Sequence, residues 1–152
     1  MKLCLATAAA IVFSAPALAA GILDPMLGDP GGCYARAYDQ AHLSSHPRQR
    51  VEYISLGYSD WQEPGYDITL DLSFTLRDGS VYSGLAYCRE DLCALEGDGG
   101  YFNLLPRNDG LELSVVRYLE LEGYNSFSGN LMNSDDQVFL IYPARPAACF
   151  RD

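Results

Sequence analysis

The chain has 152 residues and a formal net charge of −10, because 20 Asp and Glu residues face 10 Lys and Arg residues. A chain of this length folds into one ordinary domain rather than two. The negative charge argues against binding to nucleic acid or anionic lipid surfaces; it favours a basic protein or a cation as partner, or serves only to keep the protein soluble.

The first 20 residues have the pattern of an export signal. Lys2 precedes the apolar residues 3–13, and Ala17, Leu18 and Ala19 form a small-residue site of the kind that a signal peptidase accepts. We therefore expect a signal peptide at residues 1–19 and a periplasmic or secreted bacterial protein. We expect no integral membrane segment, since no later apolar run approaches the roughly 20 residues that a helical span needs.

Two segments follow the leader before the first clear strand. Residues 20–32 contain two Asp-Pro steps and four glycines, which predicts a flexible coil with little capacity to pack, ahead of a single β domain at residues 33–152. Residues 33–46 carry apolar and aromatic side chains at spacings of three and four, which predicts a short helix that ends before Pro47. It is the only helix that we predict.

The period then changes to two. Apolar residues alternate with polar ones from Ile68 to Leu76, which predicts a strand with one buried face, and Asp78 with Gly79 predicts the turn of a hairpin whose second arm is residues 81–88. Further candidate strands are residues 51–58, 100–105, 111–122 and 137–142, of which 111–122 is one bent strand or two. The fold class is mainly β: a small antiparallel β-barrel or sandwich with one short N-terminal helix. A closed meander is favoured because it leaves no long strand at an open edge.

Four cysteines lie beyond the leader, namely Cys33, Cys88, Cys93 and Cys149. In an oxidising compartment an even count indicates disulfides, with three possible connectivities. The short spacing of Cys88 and Cys93 favours a local staple, which would leave Cys33 and Cys149 to tie the chain ends together. A zinc site is the rival interpretation, but the chain has no C-x-x-C pair.

Two groups of residues have metal-ligand chemistry. Asp39, His42 and His46 would share one face of a continuous helix, although Pro47 disfavours helical geometry at His46, and the alternative is a helix terminus. Four loop aspartates offer oxygen ligands to calcium or simply make good turns: Asp98, Asp109, Asp135 and Asp136. We expect no resident metal and no cofactor.

Catalytic signatures are weak. The chain contains two histidines and no G-x-S-x-G elbow, and the cysteines are better explained as disulfides than as nucleophiles. We therefore expect a protein that is not an enzyme. Tyrosine is frequent, with 11 residues, and Trp61 is the only tryptophan; Tyr101 and Trp61 are candidate interface residues, with scattered strand tyrosines as the alternative.

Two stretches resemble a family of uncharacterised secreted proteins of proteobacteria. They are Cys33-Tyr34 followed by HLSSHPRQRV at residues 42–51, and Cys93 followed by GDGGYF at residues 97–102. The resemblance spans residues 33 to about 105 and implies no function. Members of that family have a further cysteine where this chain has Glu96 and Gly97, which leaves the disulfide pairing open.

The segment SGLAY at residues 83–87 is similar to the Ser-Gly-x-x-Tyr element of periplasmic inhibitors of C-type lysozyme, which are small disulfide-stapled β-barrels. Those inhibitors usually have a basic residue directly before the tyrosine, where this chain has Ala86. The resemblance implies binding of a basic hydrolase through Ser83 and Tyr87; the alternative is an ordinary hairpin arm.

The sequence therefore predicts an exported, non-enzymatic binding protein, in its sharpest form an inhibitor of a basic cell-wall hydrolase. The candidate binding residues are Ser83, Tyr87, Tyr101 and Trp61. One alternative is a carrier whose barrel interior holds a small apolar ligand against Leu70, Leu72 and Phe74. Another is a structural or interaction module of the cell envelope.

Overall fold

The computed structural model describes residues 21–149. The predicted signal peptide lies outside the described residues. Among those described, no helix has both the length and the apolar composition to cross a membrane.

Eight antiparallel strands form a closed barrel in which each strand pairs with the next along the chain and the last pairs with the first. The strands are β1 (Cys33–Ala37), β2 (Val51–Tyr58), β3 (Ile68–Leu76), β4 (Val81–Arg89), β5 (Leu92–Leu95), β6 (Gly100–Arg107), β7 (Gly110–Leu119) and β8 (Val138–Pro143). The helices are α1 (Asp24–Leu27) and α2 (Gln40–Ser45), with 3-10 turns at Glu96–Asp98, Leu131–Asn133 and Pro146–Ala148. The predicted mainly β fold is confirmed, as a barrel.

The hairpin of β3 and β4 follows the predicted alternation. The five apolar residues of β3 from Ile68 to Leu76 in steps of two are buried, and Leu72 lies opposite Gly84 in the register. Gly79 has a φ of 83°, and the Asp78 side chain accepts a hydrogen bond from the Ser80 amide at 2.9 Å, as expected for this turn. The strands predicted at 51–58, 100–105 and 137–142 are confirmed as β2, β6 and β8 within two residues.

The helix predicted over residues 33–46 is wrong in its first half. Residues 33–37 form β1, because they pair with β2 on one side and with β8 on the other, and this pairing outweighs the local spacing. The helix α2 begins only at Gln40, where the Asp39 carboxylate caps it by accepting a hydrogen bond from the His42 amide at 2.7 Å.

The coil predicted for residues 20–32 is also wrong where the chain is described. Helix α1 occupies four of these residues, with a proline in its first turn, and the flanking Leu23 and the terminal Leu27 are buried in the hydrophobic core. The two leucines are four apart, so one helical turn brings them onto one face. The Asp-Pro and glycine signals that predict coil stand at the two ends of this one-turn helix, and they give no indication of its apolar face.

The chain segment predicted as a strand over 111–122 is one regular strand with an irregular extension. Strand β7 ends at Leu119, and Glu122 then forms isolated bridges with Ser83 and Phe127. Strand β5, with four residues, was not predicted, because so short an alternation between Leu92 and Leu95 is not distinctive.

Both disulfides join the cysteines that the spacing favoured. Cys88 is bonded to Cys93 across the turn between β4 and β5, with 4.0 Å between their Cα atoms. Cys33 is bonded to Cys149, with 5.9 Å between their Cα atoms and a sequence separation of 116. The second bond therefore ties the first strand to the end of the described chain. In the loop-entropy model a closure of this length stabilises the fold by about 4 to 5 kcal/mol.

The barrel interior is filled by side chains. Leu70, Leu72 and Phe74, the residues that a carrier would need around its ligand, are each 0% exposed and belong to one continuous hydrophobic cluster. An eight-stranded barrel is just wide enough for side chains to fill it. The packing of the described residues thus gives the carrier hypothesis no support.

Asp136 is a buried carboxylate that joins two distant parts of the barrel. It is 1% exposed and accepts hydrogen bonds from the amides of Arg50 and Val51 and from the Ser134 hydroxyl, at 2.7, 3.1 and 2.6 Å. These contacts fix the start of β2 against the loop before β8.

We expect Asp136→Ala to lower the free energy of unfolding by about 2 to 4 kcal/mol, because it leaves buried amide groups without an acceptor. Urea denaturation of the oxidised protein measures this change. The matched control is Asp135→Ala, which breaks an ion pair with the 77% exposed side chain of Arg48. Its cost should stay below about 1 kcal/mol. Equal losses in the two variants would contradict the role assigned to Asp136.

Candidate functional site

The candidate site lies where the barrel wall is incomplete. Strand β5 is so short that it pairs only with the last four residues of β4, from Ala86 to Arg89. The preceding part of β4 is closed by other groups: the Ser83 amide donates to the Glu122 carbonyl at 3.2 Å, and the Leu85 amide donates to the Glu96 carboxylate at 2.8 Å. A side chain and a loop thus stand where a longer β5 would pair.

A cavity of about 360 Å³ opens at this gap, and we call it the acidic cavity. Four acidic side chains line it, together with Ser83 and Gly84 of β4, three aromatic residues and no Lys, Arg or His. The acidic residues are Glu96, Asp98, Glu120 and Glu122, and the aromatic residues are Tyr118, Tyr124 and Phe127. Such a set of lining groups is suited to holding a cationic group against carboxylate oxygens and ring faces.

The 3-10 turn after β5 shapes one wall of the acidic cavity. Gly97 has a φ of 62°, a left-handed conformation that glycine adopts without strain, and this turn brings the Glu96 carboxylate back to the edge of β4. At Gly100 a Cβ atom would lie 2.0 Å from the carbonyl oxygen of Tyr118. The glycines of this segment therefore let the turn pack closely against the end of β7.

Negative charges act on one another around the acidic cavity. On β3, Asp71 lies opposite Leu85 in the register. Burial raises the pKa of the Asp71 carboxyl, and the charges of Asp60 and Glu96 raise it further, while a hydrogen bond with Ser59 opposes the change. Of these three carboxylates only Glu96 lines the acidic cavity, and its negative charge favours a cation there.

Two tyrosine hydroxyls in this region also have raised pKa values. The Tyr118 hydroxyl donates a hydrogen bond to Glu120 at 2.8 Å, and this bond is the main reason that the pKa of Tyr118 is raised. Burial raises the pKa of Tyr87, followed by the charges of Glu96 and Glu63. Both hydroxyls therefore keep their protons, and the hydroxyl of Tyr118 donates to a carboxylate.

A second surface lies on the outer face of β4, β5 and β6, and we call it the tyrosine slot. In the register Tyr87 of β4 is opposite Ala94 of β5, which in turn is opposite Tyr101 of β6. The methyl group of Ala94 is thus the floor between two aromatic walls. The slot has a volume of about 560 Å³, and its other lining residues are Tyr66, Arg89, Glu90, Asp91 and Leu92.

A third cavity, of about 530 Å³, connects the two surfaces. It shares Asp98 and Tyr118 with the acidic cavity, and it shares Leu92 and Tyr101 with the tyrosine slot. One continuous surface therefore runs across β4 to β7.

The structure brings together two of the four predicted binding residues, Tyr87 and Tyr101, and places Ser83 in a different cavity. Ser83 is exposed in the acidic cavity, and Tyr87 and Tyr101 form the walls of the tyrosine slot. Trp61 is 59% exposed in the loop between β2 and β3, where its indole donates to Glu63 at 3.0 Å, and it lines none of the three cavities described above. Its role as a binding residue stays a prediction.

Sequence reasoning did not single out Glu96, Glu120 or Glu122 as site residues. The signal nearest to them is the glycine-rich segment at residues 97–100, whose composition is typical of a turn. Acidic residues are frequent in this chain, so their spacing in sequence does not show which of them converge. They converge because β5 is short and leaves a gap beside β4.

The candidate metal ligands have structural roles. Asp39 caps α2, His42 shares a hydrogen bond of 2.9 Å with Gln49, and the rings of His42 and His46 stack with 4.2 Å between their centroids. Within residues 21–149 no group of three His, Cys, Asp or Glu side chains is arranged to hold a metal ion. Asp135 and Asp136, two of the loop aspartates, bind Arg48 and the start of β2 instead.

Comparison with protein families, curated proteins and solved structures finds no significant match to this chain. The family resemblances inferred from short motifs therefore stay predictions.

Because the pKa of Asp71 is raised in the folded protein, the free energy of unfolding should depend on pH. The folded protein holds this proton at a higher pH than the unfolded chain, whose carboxyl has the ordinary value near 3.8. Stability is therefore lost as the pH rises from that value through the folded pKa. We expect Asp71→Asn to match the wild type at lower pH and to be more stable than it above this interval. Urea midpoints from pH 3 to 7 measure the difference.

The control is Asp109→Asn, which removes one charge from an exposed turn. If the difference between Asp71→Asn and the wild type does not change with pH, the carboxyl is not held in its acidic form by the fold and the assignment is wrong.

Proposed function

We propose that this chain is an exported, non-enzymatic binding protein whose acidic cavity receives a basic side chain of a protein partner. The observation that carries the proposal is the position of Ser83, exposed in a cavity lined by four acidic residues and by no basic one. A buried Ser83 would have removed the hypothesis.

Charge supports this choice of partner. The chain has a net charge of −10, so a basic protein is attracted over a distance and a nucleic acid or an anionic membrane is repelled. Complementary charge mainly increases the rate of association and selects the partner. Tyr118, Tyr124 and Phe127 add ring faces to the carboxylates of the cavity. Cation–π contacts with such rings contribute about 0.5 to 2 kcal/mol each.

Inhibition of a basic cell-wall hydrolase is the sharpest form of the proposal. Ser83 and Tyr87 are four residues apart on β4, both on its outward face, and Glu96 lies near both of them. This arrangement agrees with the similarity of SGLAY to the lysozyme-inhibitor element. Inhibition would occur by occlusion, with the surface around β4 covering the catalytic cleft of the hydrolase.

The two disulfides are compatible with an extracellular location, since such bonds persist in oxidising compartments. We propose the periplasm as that compartment, on the basis of the leader pattern. A basic hydrolase that reaches the periplasm is then an accessible partner.

The test uses the oxidised protein without its leader, immobilised and exposed to a panel of basic lysozymes and other cell-wall hydrolases. We expect capture that weakens between low and high salt. The double variant Glu120→Gln and Glu122→Gln removes two charges from the acidic cavity, and we expect it to lower the affinity by about five- to tenfold. Ser83→Arg places a positive charge in the cavity and should abolish capture.

The matched control is the double variant Asp29→Asn and Asp109→Asn, which removes two charges from exposed residues outside the cavity. Equal losses in both double variants would show that net charge alone acts, and the cavity would not be the site. A parallel assay of cell-wall hydrolysis distinguishes binding from inhibition. Capture of a hydrolase without loss of its activity would support the proposal of a binding protein and contradict the proposal of an inhibitor.

A further inference from the structure

Tyr101 is an aromatic platform that the fold of the barrel does not require. Its ring is 52% exposed, and it lines the tyrosine slot and also the third cavity on the side of β7. Packing in the hydrophobic core accounts for the buried aromatic rings, but it does not account for the exposed ring of Tyr101. An exposed ring with space on both sides is suited to stacking against a flat group from outside.

The opposite wall of the tyrosine slot is braced. The Tyr66 ring packs on Tyr87 with 5.4 Å between the centroids, and the Arg89 guanidinium lies over the Tyr66 ring at 5.4 Å. The Arg89 side chain also donates a hydrogen bond to the Gly65 carbonyl. Tyr87 is therefore held in place before any ligand arrives, which reduces the entropy lost on binding.

The spacing of the strands leaves room for one ring in the tyrosine slot. Its walls stand on β4 and β6, two strand spacings apart, which is roughly 9 to 10 Å. A flat ring in contact with both walls needs about 7 to 8 Å between them, because carbon atoms pack at 3.5 to 4.0 Å. Ala94 lies opposite both Tyr87 and Tyr101 in the register, so a methyl group stands directly between the two walls.

The charges beside this slot differ from those of the acidic cavity. Arg89 lies there with Glu90 and Asp91, and the third cavity likewise combines Arg117 with Asp98. A surface that carries both signs does not select a cation. It offers paired donors and acceptors to a neutral ligand that has many hydroxyl groups.

We propose that the tyrosine slot is a binding site for a neutral saccharide chain. A sugar ring has apolar C–H faces, which stack on Tyr87 and Tyr101, and hydroxyl groups at its edge, which reach the guanidinium and carboxylates beside them. This site lies beside the acidic cavity, takes a different class of ligand, and uses Tyr87, which the inhibitor proposal places at the edge of the hydrolase interface.

The experiment is an NMR titration of the uniformly ¹⁵N-labelled, oxidised protein with three neutral tetrasaccharides, namely chitotetraose, cellotetraose and maltotetraose. We expect at least one of them to shift the amide signals of Ala94 and Tyr101 at millimolar concentration. Tyr101→Ala should weaken binding about five- to tenfold because it removes one stacking wall. Tyr101→Phe keeps the ring and should stay within about twofold of the wild type.

Two further variants locate the ligand. Ala94→Leu fills the floor of the tyrosine slot and should prevent binding although both tyrosines remain. Tyr124→Ala removes a ring that is 95% exposed and lines the acidic cavity, and it should leave the affinity for the sugar unchanged. Urea midpoints show that each variant is folded.

Absence of shifts with all three sugars at 20 mM would overturn the saccharide proposal, and so would binding that survives both Tyr101→Ala and Ala94→Leu. Tetra-arginine is included as a competing ligand: if it shifts Ala94 and Tyr101 while the sugars do not, the slot belongs to the protein interface. Capture of a basic hydrolase is measured separately, so failure of the saccharide site leaves the proposed function standing, and the reverse also holds.

Discussion

The barrel depends on closure between its first and last strands. β1 and β8 share a short register, in which Tyr34 is opposite Pro143 and Ala35 is opposite Tyr142. The Ala144 amide continues it by donating to the Cys33 carbonyl at 2.8 Å, and the disulfide from Cys33 to Cys149 then ties the same seam covalently. Two paired positions hold β1 and β8 together only weakly by themselves. A bond that restricts the unfolded chain over 116 residues therefore stabilises the seam on which every other strand depends.

The barrel closes between β1 and β8 but has a gap in its wall beside β4. Because β5 has only four residues, part of β4 is paired by the Glu96 carboxylate and the Glu122 carbonyl rather than by a full strand. These groups satisfy the strand amides, which would otherwise attract another edge. Burial is the main cause of the raised pKa of the Asp71 carboxyl, and the charge of Glu96 adds to it. The same feature thus protects the barrel edge and creates the negative potential of the acidic cavity.

The acidic cavity and the tyrosine slot lie on one surface but differ in chemistry. The first has no basic lining residue, whereas the second has both signs of charge around two ring walls. The basic protein and the neutral saccharide proposed above would therefore be recognised through different interactions, namely long-range attraction and stacking. Because the third cavity joins the two surfaces, a partner that acts on cell-wall glycans would meet both of them at once.

The sequence by itself determined the elements whose signals are local: the alternation of β3, the turn at Gly79, and a pairing of cysteines favoured by their spacing. It also marked Ser83, Tyr87 and Tyr101 as candidates. Only the tertiary structure decided that residues 33–37 form a strand, because β2 and β8 supply their partners. It likewise decided which acids converge, since Glu96, Glu120 and Glu122 meet through the length of β5 and the closure of the barrel. Long-range pairing sets these distances, and no local pattern in the chain encodes it.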